Sequence, residues 1–503
     1  MARSDSSASD SSASDSPAIV WFRRDLRVHD QPTLLEAAEH SSRALALFVL
    51  DPALLDPSGP ARRTFLYRCL RALDEALGGR LLVVRGDPAD VVPRVATAVG
   101  AGSVHVAADF GPYGRGRDEA VEKALGDVQL VRTGSPYAVA PGRITKSDGD
   151  PYKVFTPFSR QWTQHGWRAP ADTDASTLTW IDPAEKSSGS GPSGPQAVRI
   201  PDDEPVDAEL PAAGEQAARE QWEAFVDEHL ADYDELRNRP DRPATSRMSV
   251  HLKYGTVHPR TLLADLTGTG TGPTSYRNEL CFRDFYAQVL WFFPESARKN
   301  FDTKFDRITL DTGKQAYEKF ERWQEGRTGY PAIDAAMRQL RGEGWMHNRM
   351  RMAVASFLVK DLHLPWWWGA KHFMTLLVDG DLPSNQHGWQ WAAGSGTDAA
   401  PYFRVFNPVT QGERFDPQGE YVRRWVPELA DVEGLAGKKI HQPWKLSNPP
   451  ESYPGPMVDH KTERTYTKAS RNDRVPARRS SSASASPARW RISARWKRPS
   501  NAA

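Results

Sequence analysis

Short apolar runs rich in β-branched residues recur through the first part of the chain: Ala18 to Phe22, Ala44 to Leu50, Leu81 to Val84, Ser103 to Ala107 and Val128 to Val131. Between them apolar positions return at helical spacing, as from Arg62 to Leu77 and from Ala89 to Val99. Continuous apolar strands alternating with helices predict a doubly wound, mostly parallel α/β domain. After residue 216 the strand-like runs disappear. Helical patterns cover Ala217 to Leu230, Pro331 to Arg341, His347 to Leu362 and Lys371 to Leu377, which predicts an all-α C-terminal domain.

Polar segments separate and flank these blocks. Residues 1–16 are low-complexity Ser, Ala and Asp and are expected to be a disordered tail, because they have no apolar area to set against chain entropy. Residues 141–215 are rich in Pro, Ser, Gly and charge, most of all over Ser187 to Pro192, and are expected to be an interdomain linker. The organisation expected is therefore tail 1–16, α/β domain 17–140, linker 141–215, helical domain 216–455 and a basic disordered tail 456–503. In the last segment Lys461, Arg464, Lys468, Arg471 and further arginines face few acids, and Trp490 and Trp496 interrupt them. Such a run is either a solvated tail or a weak phosphate-seeking arm.

Composition narrows the function classes. The 503 residues exceed what one core usually serves, and 39% of them are hydrophobic. Lys+Arg 65 against Asp+Glu 64 gives a formal charge of +1, so any nucleic-acid site must be a local patch. Cys69 and Cys281 are the only cysteines, which excludes a disulfide framework and a Cys-based metal site and fits a reducing cytoplasm. No apolar run approaches membrane-spanning length, and the Ser/Asp-rich start lacks a signal peptide's apolar core. Seventeen Trp is a large number of indoles, and indoles favour specific stacking roles.

The densest chemistry lies in Val378-Asp379-Gly380-Asp381-Leu382-Pro383-Ser384-Asn385-Gln386-His387-Gly388-Trp389-Gln390-Trp391. Two acids, an amide and two indoles fall within a few helical turns, a mixture suited to hydrogen-bonding a ring N–H and to stacking on or exchanging electrons with a planar cofactor. Thr245-Ser246-Arg247-Met248-Ser249 follows Pro243 and leads into a helix, where hydroxyls and free N–H groups suit an anion or simply cap the helix. Glu279 and Arg283 stand four apart within Asn278 to Tyr286, the spacing of a surface ion pair. Trp345 to Met352 reads as the start of an amphipathic helix. Gly268, Gly270 and Gly272 follow a helical stretch and precede no Lys-Ser/Thr pair, so they are expected to form a flexible loop and not a phosphate loop.

Together with Gly396 to Pro408, the Val378–Trp391 string closely resembles the flavin-site signature of the photolyase/cryptochrome family. The Thr-Ser-Arg-x-Ser segment resembles the family's grip on the FAD pyrophosphate. The resemblance spans about Ile19 to Pro456 and looks like that of a class I enzyme repairing cyclobutane pyrimidine dimers. It implies that excited, fully reduced FAD passes an electron to a flipped-out dimer in single- or double-stranded UV-damaged DNA. A monomer with no metal and no membrane partner is expected. It further implies that FAD is held by Tyr233, Thr245, Ser246, Arg247, Met248, Ser249, Tyr276, Glu279, Arg283, Trp345, Arg351, Asp379, Gly380, Asp381 and Asn385. Arg351 would pair with Asp379, and Asp381 would accept from the flavin N3–H. Glu279, Asn348 and Met352 would meet the damaged bases, Asn385 would stand near flavin N5, and Trp389 and Trp366 would carry electrons. Glu279, Phe282, Arg283, Tyr286, Asn348, Arg349, Trp391, Arg404 and Gln411 would form the DNA site.

At the other end, Trp21 to Asp30 resembles the family's opening signature, where clustered charge at a strand's carboxyl end suits a ligand crevice. Pro112 to Asp118 looks more like the deazaflavin-binding photolyases than the folate-binding ones. An 8-hydroxy-5-deazaflavin antenna, with a folate as the alternative, is therefore expected on Arg23, Arg24, Asp25, Tyr113, Gly114 and Arg117.

Phe282 and Tyr276 stand where the family usually has Trp, and no Trp occupies the outer electron-carrying position around Ile308 to Ala316. Electron supply from the surface is expected to be weak or rerouted through Tyr317 or Trp367. These departures keep open a cryptochrome that signals without repairing DNA. A (6-4) photolyase is the weaker alternative, since such enzymes usually place two His where Met352 and His347-Asn348-Arg349 stand.

Overall fold

The computed structural model describes residues 16–184, 194–399 and 404–470. Strands β1 (Ala18–Phe22), β2 (Arg43–Leu50), β3 (Leu81–Arg85), β4 (Ser103–Val106) and β5 (Gln129–Arg132) form a parallel sheet in the order β3-β2-β1-β4-β5. Within β1, Ala18, Val20 and Phe22 enter one core while Ile19 and Trp21 enter the core on the opposite face. That is the period of two expected of a strand, and burial on both faces explains why the run is apolar throughout. The strand order reverses between β1 and β4, which opens a crevice at the carboxyl ends of those strands.

The segment expected to be a linker is more ordered than its composition suggests. It contains a helix, Phe155–His165, and a sixth strand, β6 (Thr179–Trp180), which pairs with β2 at Arg43 and Ala44, below the point where β3 begins its pairing at Ala46. Phe158 and Trp162 are buried, and the Trp162 Nε1–H donates to Asp284 Oδ2 at 2.9 Å. The Pro, Ser and Gly around it masked this amphipathic helix. Ser187 to Pro192 lies outside the described residues, as do residues 1–15.

The helical half is built around Thr271–Phe292, Pro331–Glu343, Asn348–Lys360, Trp366–Leu376 and Leu382–Ala393. The glycine cluster is not a loop throughout: Gly272 lies in the first turn of Thr271–Phe292, where a Cβ would collide with the carbonyls of Leu230 and Ala231. No helix among the described residues is long and apolar enough to cross a membrane, and none of their His, Cys, Asp and Glu side chains gather into a metal site.

The tail expected from residue 456 begins as a folded element. The helix His460–Ser470 docks on Asn348–Lys360: the His460 ring meets the buried Asp361 carboxylate, His363 meets Glu463 at 2.7 Å, and the Thr467 hydroxyl donates to the Lys360 carbonyl. Residues 471–503, including the remaining basic positions, lie outside the described residues. Truncation after Ser470 should leave the melting temperature unchanged. Truncation after Pro456 strips Asp361 of its partner, a loss worth about 3–5 kcal/mol for a buried pair, and should lower the melting temperature by roughly 3–5 °C. Differential scanning calorimetry of the two truncations checks this.

Candidate functional site, a charged aromatic cavity

A cavity of about 460 Å³ opens between the central helices. Into it come the four side chains that repeat along the long helix Thr271–Phe292, namely Tyr276, Glu279, Arg283 and Tyr286, with Phe282 beside them. Asn348, Arg351, Met352 and Ala355 enter from Asn348–Lys360. Asp381, Ser384, Asn385, Gly388, Trp389 and Trp391 enter from the helix Leu382–Ala393 and its cap. The i, i+3, i+4 spacing puts each set on one helix face. Tyr233, the stretch Thr245 to Ser249, Trp345, Asp379 and Gly380 close the remaining walls.

Two buried ion pairs fix the floor. Asp379 Oδ2 accepts from Arg351 at 2.8 Å with its carboxylate almost wholly buried, and Arg351 Nε also donates to the Met346 carbonyl at 2.8 Å. Asp379 Oδ1 is buried with no hydrogen-bond partner among the described residues. Asp381 caps its helix, accepts from Ser384 Oγ at 3.0 Å and pairs with Arg24 at 2.7 Å. Burial alone would raise the Asp381 carboxyl, but Arg24, Arg283 and Lys253 hold it down to about 2. Burial brings the Lys253 ammonium down to about 7, and Arg24 adds to the shift.

The rest of the wall is aromatic or amphipathic. Arg247, in a left-handed backbone conformation (φ 53°), lies 4.4 Å over the Trp345 ring and pairs with Glu343 at 3.0 Å. The Ser246 and Tyr276 hydroxyls meet at 2.8 Å. Asn385 Nδ2 donates to the Ala370 carbonyl at 3.1 Å and to Gln386 Oε1 at 2.9 Å, so a ligand that takes a hydrogen bond from this amide competes with those two acceptors. Glu279 and Arg283 do not pair with each other. Glu279 pairs with Arg237, and Arg283 donates to the Pro136 and Leu252 carbonyls. Burial raises the Glu279 carboxyl, with Arg237 offsetting part of the shift.

Sequence reasoning missed three polar members of this wall, Arg237, Lys253 and Ser384. Helical spacing carried a signal for each, since Arg237 is four residues past Tyr233, Lys253 four past Ser249 and Ser384 three past Asp381. Four expected residues lie away from the cavity. Arg349 turns to Asn238 and sits 4.5 Å over Phe415. Arg404 and Gln411 line a separate basic hollow with His460 and Arg464. Trp366 donates from Nε1 to Asn300 at 2.9 Å. It stands 6.0 Å from Trp367, which is 40% exposed. A second aromatic series starts at Trp389 and runs through Trp323 (6.1 Å), Phe320 (5.7 Å) and Trp368 (5.4 Å) to Tyr317 (4.6 Å), itself 46% exposed.

The residues expected to hold an antenna divide. Arg24 faces the other way, to Asp381, and belongs to the large cavity's electrostatics. Asp25 is buried and accepts from the Arg23 N–H and from Gln31, so it shapes the loop after β1. Arg23 and Arg117 converge on Asp118 and flank the Trp21 ring, and the Tyr113 hydroxyl donates to Asp51. Gly114 is required by Asp109, whose carboxylate occupies the space a Cβ would take. These groups cluster at the switch-point crevice, but their polar atoms are engaged with one another.

Two family profiles match the chain. One, described as DNA photolyase, covers residues 18–176, and the other, the FAD binding domain of DNA photolyase, covers residues 276–472. A deoxyribodipyrimidine photo-lyase of Streptomyces griseus is 41% identical over 460 residues, 88% of this chain and 96% of that one. The crystal structure of a class III photolyase from Agrobacterium tumefaciens superposes with a TM-score of 0.83 at 34% identity, covering 93% of this chain and 99% of that chain. The cryptochrome of Synechocystis gives a TM-score of 0.81 at 28% identity over 90% of this chain and 99% of its own.

Proposed function

This chain belongs to the DNA photolyase family and has its FAD-binding domain, and from that premise we propose that it repairs cyclobutane pyrimidine dimers in DNA with light, as a class I enzyme. The observation that carries the reading is one cavity with two chemistries. Its floor holds the Arg351–Asp379 and Arg24–Asp381 pairs, and its walls hold Glu279, Phe282, Asn348, Met352 and Trp391.

The residues fit FAD on three counts. Asp379 Oδ1 is a buried acceptor with no partner among the described residues, and a Cβ at Gly388 would meet nothing within 4 Å, so the wall is open at that helix position. Cationic Arg247 and Arg351, with Lys253 in the same lining, suit a pyrophosphate. Bound and reduced, the flavin supplies the light-driven electron. The protein's share is to hold the cofactor, exclude water and orient the lesion. Asp381, kept ionised by its neighbouring cations, accepts from a ring N–H. Glu279 and Asn348 hydrogen-bond the extruded bases, and Phe282 and Trp391 stack on them. Extrusion of the target base is how photolyases reach their substrate. Trp366–Trp367 and the series ending at Tyr317 would feed electrons from the surface.

For the crevice of the α/β domain we propose 8-hydroxy-5-deazaflavin over a folate, on the likeness of Pro112 to Asp118. Reconstitution of the purified protein with each chromophore, read by fluorescence transfer to the flavin, decides between them.

Phosphate contacts should make binding salt-sensitive despite the near-zero net charge. Arg349→Ala should lower affinity for damaged and intact DNA alike and reduce the slope of log K against log salt by about one. Titrations at several salt concentrations measure this. The lesion class is tested by incubating the reduced holoprotein under blue light with oligonucleotides carrying either a cyclobutane dimer or a (6-4) photoproduct. Loss of the dimer alone is expected, and loss of the (6-4) product alone overturns the reading.

A further inference from the structure

We propose that Phe155 is a positioning residue for Phe282 and thereby for discrimination between damaged and intact DNA. The inference rests on reading the large cavity as a dimer site. The Phe155 and Phe282 rings lie face to face, 3.4 Å apart and 5° from parallel. Two isolated rings prefer an offset or an edge-to-face meeting, so the helix that carries Phe155 must hold it there. That helix, Phe155–His165, is anchored along one face. Phe158 packs at 5.2 Å on Phe285, and Trp162 donates to Asp284, both acceptor and ring belonging to the same long helix as Phe282. Phe155, Phe158 and Trp162 follow one another at three and four residues, so anchoring the later two fixes the first.

The consequence for Phe282 is geometric. With Phe155 at stacking distance no base fits between them, and only the opposite face of Phe282 is left for a base. Tilting of the Phe282 ring away from the cavity is blocked by the same contact. The Phe155 N–H also donates to Asp398 Oδ2 at 3.2 Å, and Asp398 follows the helix that bears Trp391. Phe155 therefore backs the ring of Phe282 that is proposed to stack on the lesion.

The test is dark binding by the FAD-loaded protein to two oligonucleotides of one sequence, with and without a single thymine dimer. Phe155→Ala and Phe155→Leu should each cut the ratio of the two dissociation constants by at least about fivefold, the low end of what base–aromatic stacking is worth, with the flavin spectrum unchanged. Phe155→Tyr should restore the ratio. In a Phe282→Ala background the same Phe155 changes should have no further effect, because coupled residues are non-additive. A ratio that is unchanged or increased in both Phe155→Ala and Phe155→Leu overturns the inference, as does full additivity with Phe282→Ala. Leu retains the apolar bulk, so a packing defect seen only with Ala also counts against it. If the wild-type protein shows no preference for the dimer, the reading of the cavity and this inference fall together; a wild-type preference that Phe155 does not affect removes the inference alone.

Discussion

Asp379→Ala protein should purify with less than roughly a tenth of the FAD that the parent chain holds. Arg351 keeps its contact to the Met346 carbonyl in that variant but loses the one carboxylate paired with it among the described residues, and the side chain is three-quarters buried. Removing one member of a buried pair costs about 3–5 kcal/mol, because the remaining charge is uncompensated. The same substitution deletes Asp379 Oδ1, a buried acceptor with no hydrogen-bond partner among the described residues. Each 1.4 kcal/mol is a factor of about ten in affinity, so even part of this loss empties a site under gel filtration. The flavin-to-protein absorbance ratio measures it. Full retention of flavin would mean that the pair does not hold the cofactor. Asp379→Asn, which keeps the shape and one acceptor, should fall between the two and shows whether loss of charge or loss of fold is responsible.

Glu279→Ala should lower the affinity for dimer-containing DNA and the repair rate while leaving the flavin spectrum as it is. Glu279 lines the cavity and pairs with Arg237, and burial already raises its carboxyl. A hydrogen bond to such a charged group is worth about 1.5–3 kcal/mol, which predicts a reduction of roughly ten- to a hundredfold. Arg237 is left unpaired in the variant, so Glu279→Gln, which preserves a partner for it, should recover part of the loss. Single-turnover repair and dark binding separate the two contributions. An unaltered repair rate in Glu279→Ala would remove Glu279 from the lesion site.

How much of this was legible in the sequence depends on what carried the signal. The central strands β1 and β2 were readable because burial on both faces makes them almost uninterrupted apolar runs, and the shorter β3, β4 and β5 were readable from the β-branched residues at their centres. The helix Phe155–His165 was not, because its three anchoring aromatics lie among Pro, Ser and Lys that depress any local average. The helix His460–Ser470 was hidden for a related reason. Its strongly polar sequence is held by His460, Glu463 and Thr467 against partners a hundred residues away, and no local pattern reports such contacts. In the cavity, residues chosen by helical spacing and family likeness converged, from Tyr233 to Trp391. Arg24 was misread because its neighbours Arg23 and Asp25 face the α/β domain while its own guanidinium crosses to Asp381, a pairing between residues 357 apart. The Glu279–Arg283 spacing suggested an ion pair, but each side chain found a better partner on another segment.

The most direct test of the account is a light-against-dark assay on DNA containing thymine dimers. The purified protein, loaded with FAD and chemically reduced, is mixed with single- and double-stranded substrates and divided between blue light and darkness. The account predicts that dimers disappear from both substrates under light and persist in the dark. Dimers remaining at their dark level after illumination would contradict it and leave a flavoprotein of this fold without repair activity.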